Sequence, residues 1–175
     1  MREIQRKVRA SKHRDLIQFA CRTAARADDL IQAFNEEQPQ VVHFSGHGTS
    51  QNELIFLNDQ RQLHPVSKRA LETLFRTMRE SIRVVVLNAC FSEAQAVSIT
   101  KHIDCAIGMK REIGDEAAIV FASSFYRALG FGHSVQRAFD EGLTAVELAG
   151  GTDSLVIRLL CRKGVDPSRI RLLDR

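Results

Sequence analysis

The sequence contains no tryptophan and a single tyrosine, Tyr126, which speaks against an aromatic platform for stacking nucleic-acid bases. No stretch approaches the roughly 20 consecutive apolar residues of a membrane-spanning helix. The charged start, MREIQRKVRASKHR, is not followed by the apolar core of a signal peptide, so a cytoplasmic location is the default expectation. No CxxC pair occurs. The four cysteines, Cys21, Cys90, Cys105 and Cys161, are too widely spaced to suggest a disulfide framework in a chain of this size and compartment. Neither GxxxxGK[ST] nor GxGxxG occurs, so Gly108 and Gly132 read as turn requirements rather than phosphate cradles. There is also no internal repeat, low-complexity segment or interdomain linker.

What is present suits one α/β domain over residues 1–175. Hydrophobic residues make up 44% of 175 positions, enough for one substantial core. The 25 basic and 21 acidic residues leave a net charge of +4 that is scattered along the chain. The Arg-rich start therefore reads as a solvated helical face over residues 2–9 rather than a nucleic-acid contact. The imperfect alternation of Asp15–Thr23 predicts a strand. Asp28-Asp29 predicts the cap of a helix that runs to Glu37 and stops at Pro39. Apolar strands are expected at 41–45, 83–89 and 105–109, with a short strand or hairpin arm at 54–57 and a final strand at 155–160. Helices are expected at 67–79, 92–102, 115–129 and 134–148, the last two separated by Gly130-Phe131-Gly132. Strands apolar on both faces, alternating with helices, predict a mostly parallel sheet covered on both sides.

Two of these strands end on reactive side chains. VVHFSGHG, residues 41–48, carries His47 between two glycines, and VVVLNAC, residues 84–90, stops at Cys90. In an open α/β sheet, ligands bind beyond the carboxyl ends of the strands, and one helical crossover between two strands returns the chain to a parallel neighbour. His47 and Cys90 should therefore open onto one crevice although 43 positions separate them. An imidazole that takes the proton of a thiol makes it a nucleophile. The amides of Gly48 and Cys90 are placed to face a developing oxyanion. Helix-start residues Ser92-Glu93, just after Cys90, would favour thiolate through the helix dipole. No carboxylate is positioned by spacing to orient His47, so a two-residue Cys/His pair is expected.

HFSGHG followed by VVLNAC resembles the CHAT domains, caspase-like cysteine peptidases related to separases, gingipains and metacaspases. The similarity continues through AIGMKREIGDEAAIVFASSFYRALGFGHSVQRAFDEG and reaches CRKGVDPSRI. It implies a caspase-like, mostly parallel sheet with helices on both faces. A hydrophobic strand usually precedes the segment that resembles EIQRKVRASKHRDLIQF. The expectation is thus a fold lacking the usual first strand, with residues 1–12 the remnant of the helix that follows it. The resemblance also implies a cysteine endopeptidase whose catalytic pair is His47 and Cys90, acting on a protein or peptide substrate, in the manner of bacterial regulated-death and defence proteases. Further partners it implies are a regulatory protein or sensor domain, and pairing into a homodimer through the last strand stays open. Neither nucleic acid nor membrane is expected as a partner, and no cofactor.

Other residues carry competing readings. Asp115 either selects a basic substrate side chain or caps the helix 115–129. Glu93 either faces the same pocket or complements the helix dipole. Asn88, within the NAC motif, and His43 are expected in supporting roles, with His43 a hydrogen-bonded structural histidine on the strand face of Val41 and Ser45. A zinc site built from His43, His47 and Cys90 is disfavoured because a strand-borne HxxxH lacks the register of helical zinc motifs. His13, His64, His102 and His133 read as surface or capping residues. A catalytically silent interaction module and a non-proteolytic acyl hydrolase using the same pair are the alternative functions.

Overall fold

The structure, a computed structural model, describes residues 1–173. The chain groups into two compact units, each built from separate stretches of sequence. One contains Met1–Phe19, Ile113–Ile157 and the described residues from Asp166 onward. Its helices are α1 (Arg2–Arg9), α5 (Asp115–Gly130) and α6 (Val135–Leu148). α1 exposes a charged face and buries Ile4 and Val8, the amphipathic pattern expected for its Arg-rich sequence. Ser134 caps α6, its side chain accepting from the Arg137 amide at 3.3 Å. Phe121 and Phe125 stack at 6.0 Å, and Phe139 meets Phe121 edge-on at 5.8 Å, forming the aromatic centre of this unit.

The other unit, Ala20–Glu112 with Arg158–Val165, holds the sheet. In chain order it contains α2 (Asp29–Glu37), β1 (Val41–Ser45), β2 (Glu53–Leu57), β3 (Leu63–Ser67), α3 (Lys68–Thr77), β4 (Val84–Asn88), α4 (Glu93–Ile99), β5 (Cys105–Met109) and the end of β6 (Ile157–Cys161). The strand order is β1-β4-β5-β6, with β1 parallel to β4 and β4 parallel to β5. Val84, Val85, Val86 and Leu87 are at most 1% exposed, which is why the sequence there is a continuous apolar run rather than an alternating one. Phe34, Leu71, Phe75 and Leu87 belong to the core beneath the sheet, and Val42 and Phe44 of β1 pack against it. Strand alternation therefore puts His43 and Ser45 on the opposite face. Ser67 caps α3 by accepting from the Ala70 amide at 3.2 Å, and Leu71 and Phe75, one turn apart, deliver its apolar stripe.

Two expectations change. Asp15–Thr23 is not a strand: Arg14–Leu16 is a single 3-10 turn, and an irregular segment follows. A strand requires a neighbour to satisfy its backbone, and among the described residues none pairs with this segment, whose Leu16 and Phe19 stand exposed. The expected arm at 54–57 is present as one half of a hairpin, with β3 as its antiparallel partner. Asp28 does stand before α2, but its side chain makes no capping bond. The neighbouring Asp29 carboxylate instead accepts from the Arg26 amide and guanidinium, which hold its pKa below the usual range.

Candidate active site

Parallel pairing aligns β1 and β4 so that Ser45 stands opposite Asn88. Neighbouring strands lie about 4.8 Å apart. His47 and Cys90 each follow their strand end by two residues, so both leave the same edge of the sheet side by side. The loops that carry them touch: a Cβ built on Gly48 would lie 2.0 Å from the Cys90 carbonyl oxygen. Only a glycine lets the two backbones approach this closely. His47 is exposed and Cys90 half-buried, so both are reachable from solvent.

The His47 loop is held from its other side by the hairpin. The Ile55 amide donates to the His47 carbonyl at 3.0 Å and the Thr49 amide to the Glu53 carbonyl at 2.9 Å, with Gly48 bridged to Leu54 between them. Among the described residues, the amides of Gly48 and Cys90 have no acceptor, which leaves both donors available to a ligand oxygen.

The Cys90 loop is held differently, by a residue whose role the sequence does not disclose. Ser92 stands before α4 as a cap residue should, yet its side chain makes no cap. It is fully buried, donating from Oγ to the Leu87 carbonyl at 2.9 Å and accepting from the Met109 amide at 2.9 Å. It thereby ties the ends of β4 and β5 together beneath Cys90. Gly108 admits α4 against β5, since a Cβ there would lie 2.8 Å from the Ser92 carbonyl oxygen and 3.0 Å from Glu93 Cα. Between Cys90 and Ser92, Phe91 adopts φ of +55°, a left-handed conformation uncommon for an aromatic residue. Such strain clusters at functional loops, and here it turns the chain sharply out of β4. Ser92→Ala leaves the buried Met109 amide unpaired and is expected to cost about 2 kcal/mol of stability in urea denaturation, with the Cys90 loop loosened.

His43 pairs in register with Val86, inside the sheet layer. Burial pushes its imidazole down to about 4, so it is neutral in the folded protein at physiological pH. A base whose folded pKa lies below its unfolded value contributes stability that is complete above the unfolded value, near 6.5, and lost as pH falls toward 4. Stability should therefore drop by about 3 kcal/mol between pH 7 and pH 4 through this one group. His43→Gln should flatten that slope in urea melts, whereas an unchanged slope would assign it to other groups.

Asn88 ends β4 opposite Ser45, with its side-chain oxygen buried and without a partner. Glu93 is the half-buried first residue of α4, three positions after Cys90. Asp115 belongs to the other unit, where it is the exposed first residue of α5. Gly114 occupies the cap position there, so the capping reading of Asp115 does not hold. Asp115 lies inside the helix, where its charge complements the dipole instead. A cavity of about 370 Å³ is lined by every residue from Val41 to His47, by Ala20, Arg22 and Ala24, and by core residues such as Phe34, Phe75 and Leu87. Its wall includes His47 but not Cys90. Among the described residues, no group of three or more His, Cys, Asp or Glu side chains could hold a metal ion, and no helix is long and apolar enough to cross a membrane.

Known proteins share this arrangement of sequence. A Roc-COR-CHAT protease from an unknown prokaryotic organism is 31% identical over 136 residues, which cover 71% of this chain and 13% of that protein. A probable protease from Gillisia limnaea is 25% identical over 124 residues, 69% of this chain and 22% of that protein. The chain thus spans less than a quarter of either relative. The family profile described as CHAT domain matches residues 1–147, taking in both strand ends, the hairpin between them and the helices α5 and most of α6. By that match, and by a mostly parallel α/β sheet of the caspase-like kind, the chain belongs to the CHAT domain family.

Proposed function

We propose that the chain is a cysteine endopeptidase in which Cys90 attacks a peptide carbonyl and His47 manages the proton. The observation that carries this reading is the abutment of the Gly48 and Cys90 backbones at one sheet edge. It puts an imidazole-bearing loop and a thiol-bearing loop side by side, with two amides unengaged next to the thiol. His47 takes the Cys90 proton as the sulfur adds to the carbonyl carbon, and the Gly48 and Cys90 amides receive the developing oxyanion. His47 then returns the proton to the leaving amine. Water, deprotonated by the same imidazole, hydrolyses the thioester and regenerates the thiol. Glu93 is the acid nearest in sequence to Cys90 and would favour a basic substrate side chain. Both relatives carry protease in their names, which agrees with this chemistry.

The test is covalent labelling. Folded protein treated with iodoacetamide and with a peptidyl acyloxymethyl ketone should be modified selectively at Cys90, ahead of the exposed Cys21. The ketone is informative because it demands a bound peptide as well as a nucleophile. Labelling of Cys21 alone, in protein shown to be folded by its thermal transition, would remove the peptidase assignment.

A second reading is favoured by the cavity along β1. β1 is the end strand of the sheet, so among the described residues one side of its backbone carries no strand partner, and the cavity it lines is mainly apolar. An open edge beside an apolar slot suits addition of an extended polypeptide. On this reading the chain is a catalytically silent interaction module. A protein that melts cooperatively and gains stability from added apolar peptides, but is never labelled at Cys90, would support it over the enzyme.

A further inference from the structure

Cys105 and Cys161 lie far from Cys90 along their strands, and the proposed chemistry uses neither. Their sulfurs stand 3.1 Å apart. β5 begins at Cys105 and β6 ends at Cys161, and the two strands are neighbours in the sheet. Such strands overlap only if they run in opposite directions. The Arg162 amide donates to the Asp104 carbonyl at 2.9 Å, which fixes the register and sets Cys105 opposite Cys161. Directly opposed residues of an antiparallel pair have Cα atoms about 4.5–5.5 Å apart and side chains on the same face. Disulfides span Cα separations of about 4.4–6.8 Å. The backbone is therefore already set for a bond, and side-chain rotation alone can bring the sulfurs to bonding distance.

The surroundings hold that register. Asp104 accepts from the Arg162 guanidinium at 2.6 Å and also from the Arg83 guanidinium, so the carboxylate before Cys105 ties the starts of β4 and β5 to the end of β6. Burial works to raise the Asp104 pKa, but the two guanidinium groups outweigh it and keep the group ionised. The thiols also differ in access: Cys105 is fully buried and Cys161 half-buried.

We propose that Cys105 and Cys161 form a peroxide-driven disulfide that staples β6 to β5. The half-buried Cys161 thiolate attacks one peroxide oxygen, giving a sulfenic acid and hydroxide. The Cys105 sulfur then displaces the sulfenic hydroxyl, its own proton leaving with that oxygen as water. Overall, two thiols and one hydrogen peroxide give one disulfide and two waters: the sulfurs lose two electrons and the peroxide gains them. The adjoining Cys161 sulfur, followed by burial, holds the Cys105 thiol well above its ordinary pKa, which suits Cys105 to the resolving step rather than the first attack. The bond closes a long loop that includes both α5 and α6.

The experiment treats the wild-type chain and a Cys90→Ser variant with hydrogen peroxide, alkylates under denaturing conditions and maps tryptic peptides by mass. The expected product joins residues 102–110 to residues 159–162 and is two hydrogens lighter than the separate peptides. It should be absent from Cys161→Ser and reversed by dithiothreitol. Closing a loop of this length should raise the melting midpoint by roughly 5–15 °C. The exposed Cys21 reports that oxidant reached the protein. Oxidation of Cys21 while Cys105 and Cys161 are both still alkylated would overturn the proposal. So would a dimedone-trapped sulfenic acid on Cys161 that never resolves to the linked peptide.

Discussion

Cys90→Ala should abolish hydrolysis of peptide substrates, and His47→Ala should lower kcat/KM by on the order of 10²–10⁴. A thiol attacks as its thiolate, so a base that removes the proton as the sulfur attacks raises the rate of that step. The double variant should be no slower than Cys90→Ala, because the two groups would act in one step and their effects would not add. Neither change should unfold the protein. His47 is exposed and Cys90 half-buried, and each stands in a loop outside the core. Stability should stay within about 0.5–1 kcal/mol of the parent in urea denaturation. Peptide hydrolysis that survives in Cys90→Ala would assign the chemistry elsewhere.

The strands that deliver these residues were legible because both are apolar runs that stop abruptly. Val41–Phe44 gives way to Ser45-Gly46, and Val84–Leu87 to Asn88-Ala89, and parallel strands joined by one crossover have few ways to pair. The adjacency of the loops that carry His47 and Cys90 therefore followed from topology before any coordinate. The misread segment failed for a related reason. Asp15–Thr23 has the composition of a strand, but strand formation depends on a partner, and composition does not reveal whether one is present. The arm Leu63–Ser67 escaped notice because it is mostly exposed and contains Pro65, which is tolerated only where the ladder needs no amide there. Pro65 meets that condition, because its partner Ile55 turns its own amide the other way, to the His47 carbonyl.

The finer construction of the site was not legible at all. Ser92 reads as an N-cap, and nothing local reveals that its hydroxyl is buried between Leu87 and Met109, since Met109 comes from a later strand. Phe91 belongs to a residue type that rarely adopts positive φ, so its left-handed turn is imposed by what flanks it: the end of β4 on one side and the pinned Ser92 on the other. The supports of these loops come from long-range contacts, whereas the residue each loop carries is marked by the strand it follows. This explains why the placement of the His47 and Cys90 loops at one sheet edge could be read in the sequence and the buried bonds of Ser92 could not.

Gly48→Ala should be the most damaging single methyl group in the chain. Its Cβ would lie 2.0 Å from the Cys90 carbonyl oxygen and 3.1 Å from the carbonyl carbon, well inside contact distance and against backbone rather than a side chain that could swing away. The His47 loop cannot simply retreat. It is bonded to β2 through the Ile55 and Glu53 backbones, and the Cys90 loop is bonded beneath through Ser92. One of these attachments must break, or the two loops must part. A cost of about 3 kcal/mol is expected, from overpacking together with lost hydrogen bonds. Parting the loops would also separate the proposed nucleophile from its base and turn the Gly48 amide away, so ketone labelling of Cys90 should fall by at least the 10²–10³ that one misplaced oxyanion donor costs. Gly114→Ala is the matched control, because its Cβ would meet nothing nearer than the Asp153 carboxylate at 3.6 Å. Labelling and urea midpoints measured on both variants separate the site from a general effect of adding a methyl group. Gly48→Ala protein that melts and labels like the parent would mean that these two backbones do not meet, and with that contact the case for a shared Cys–His site would be lost.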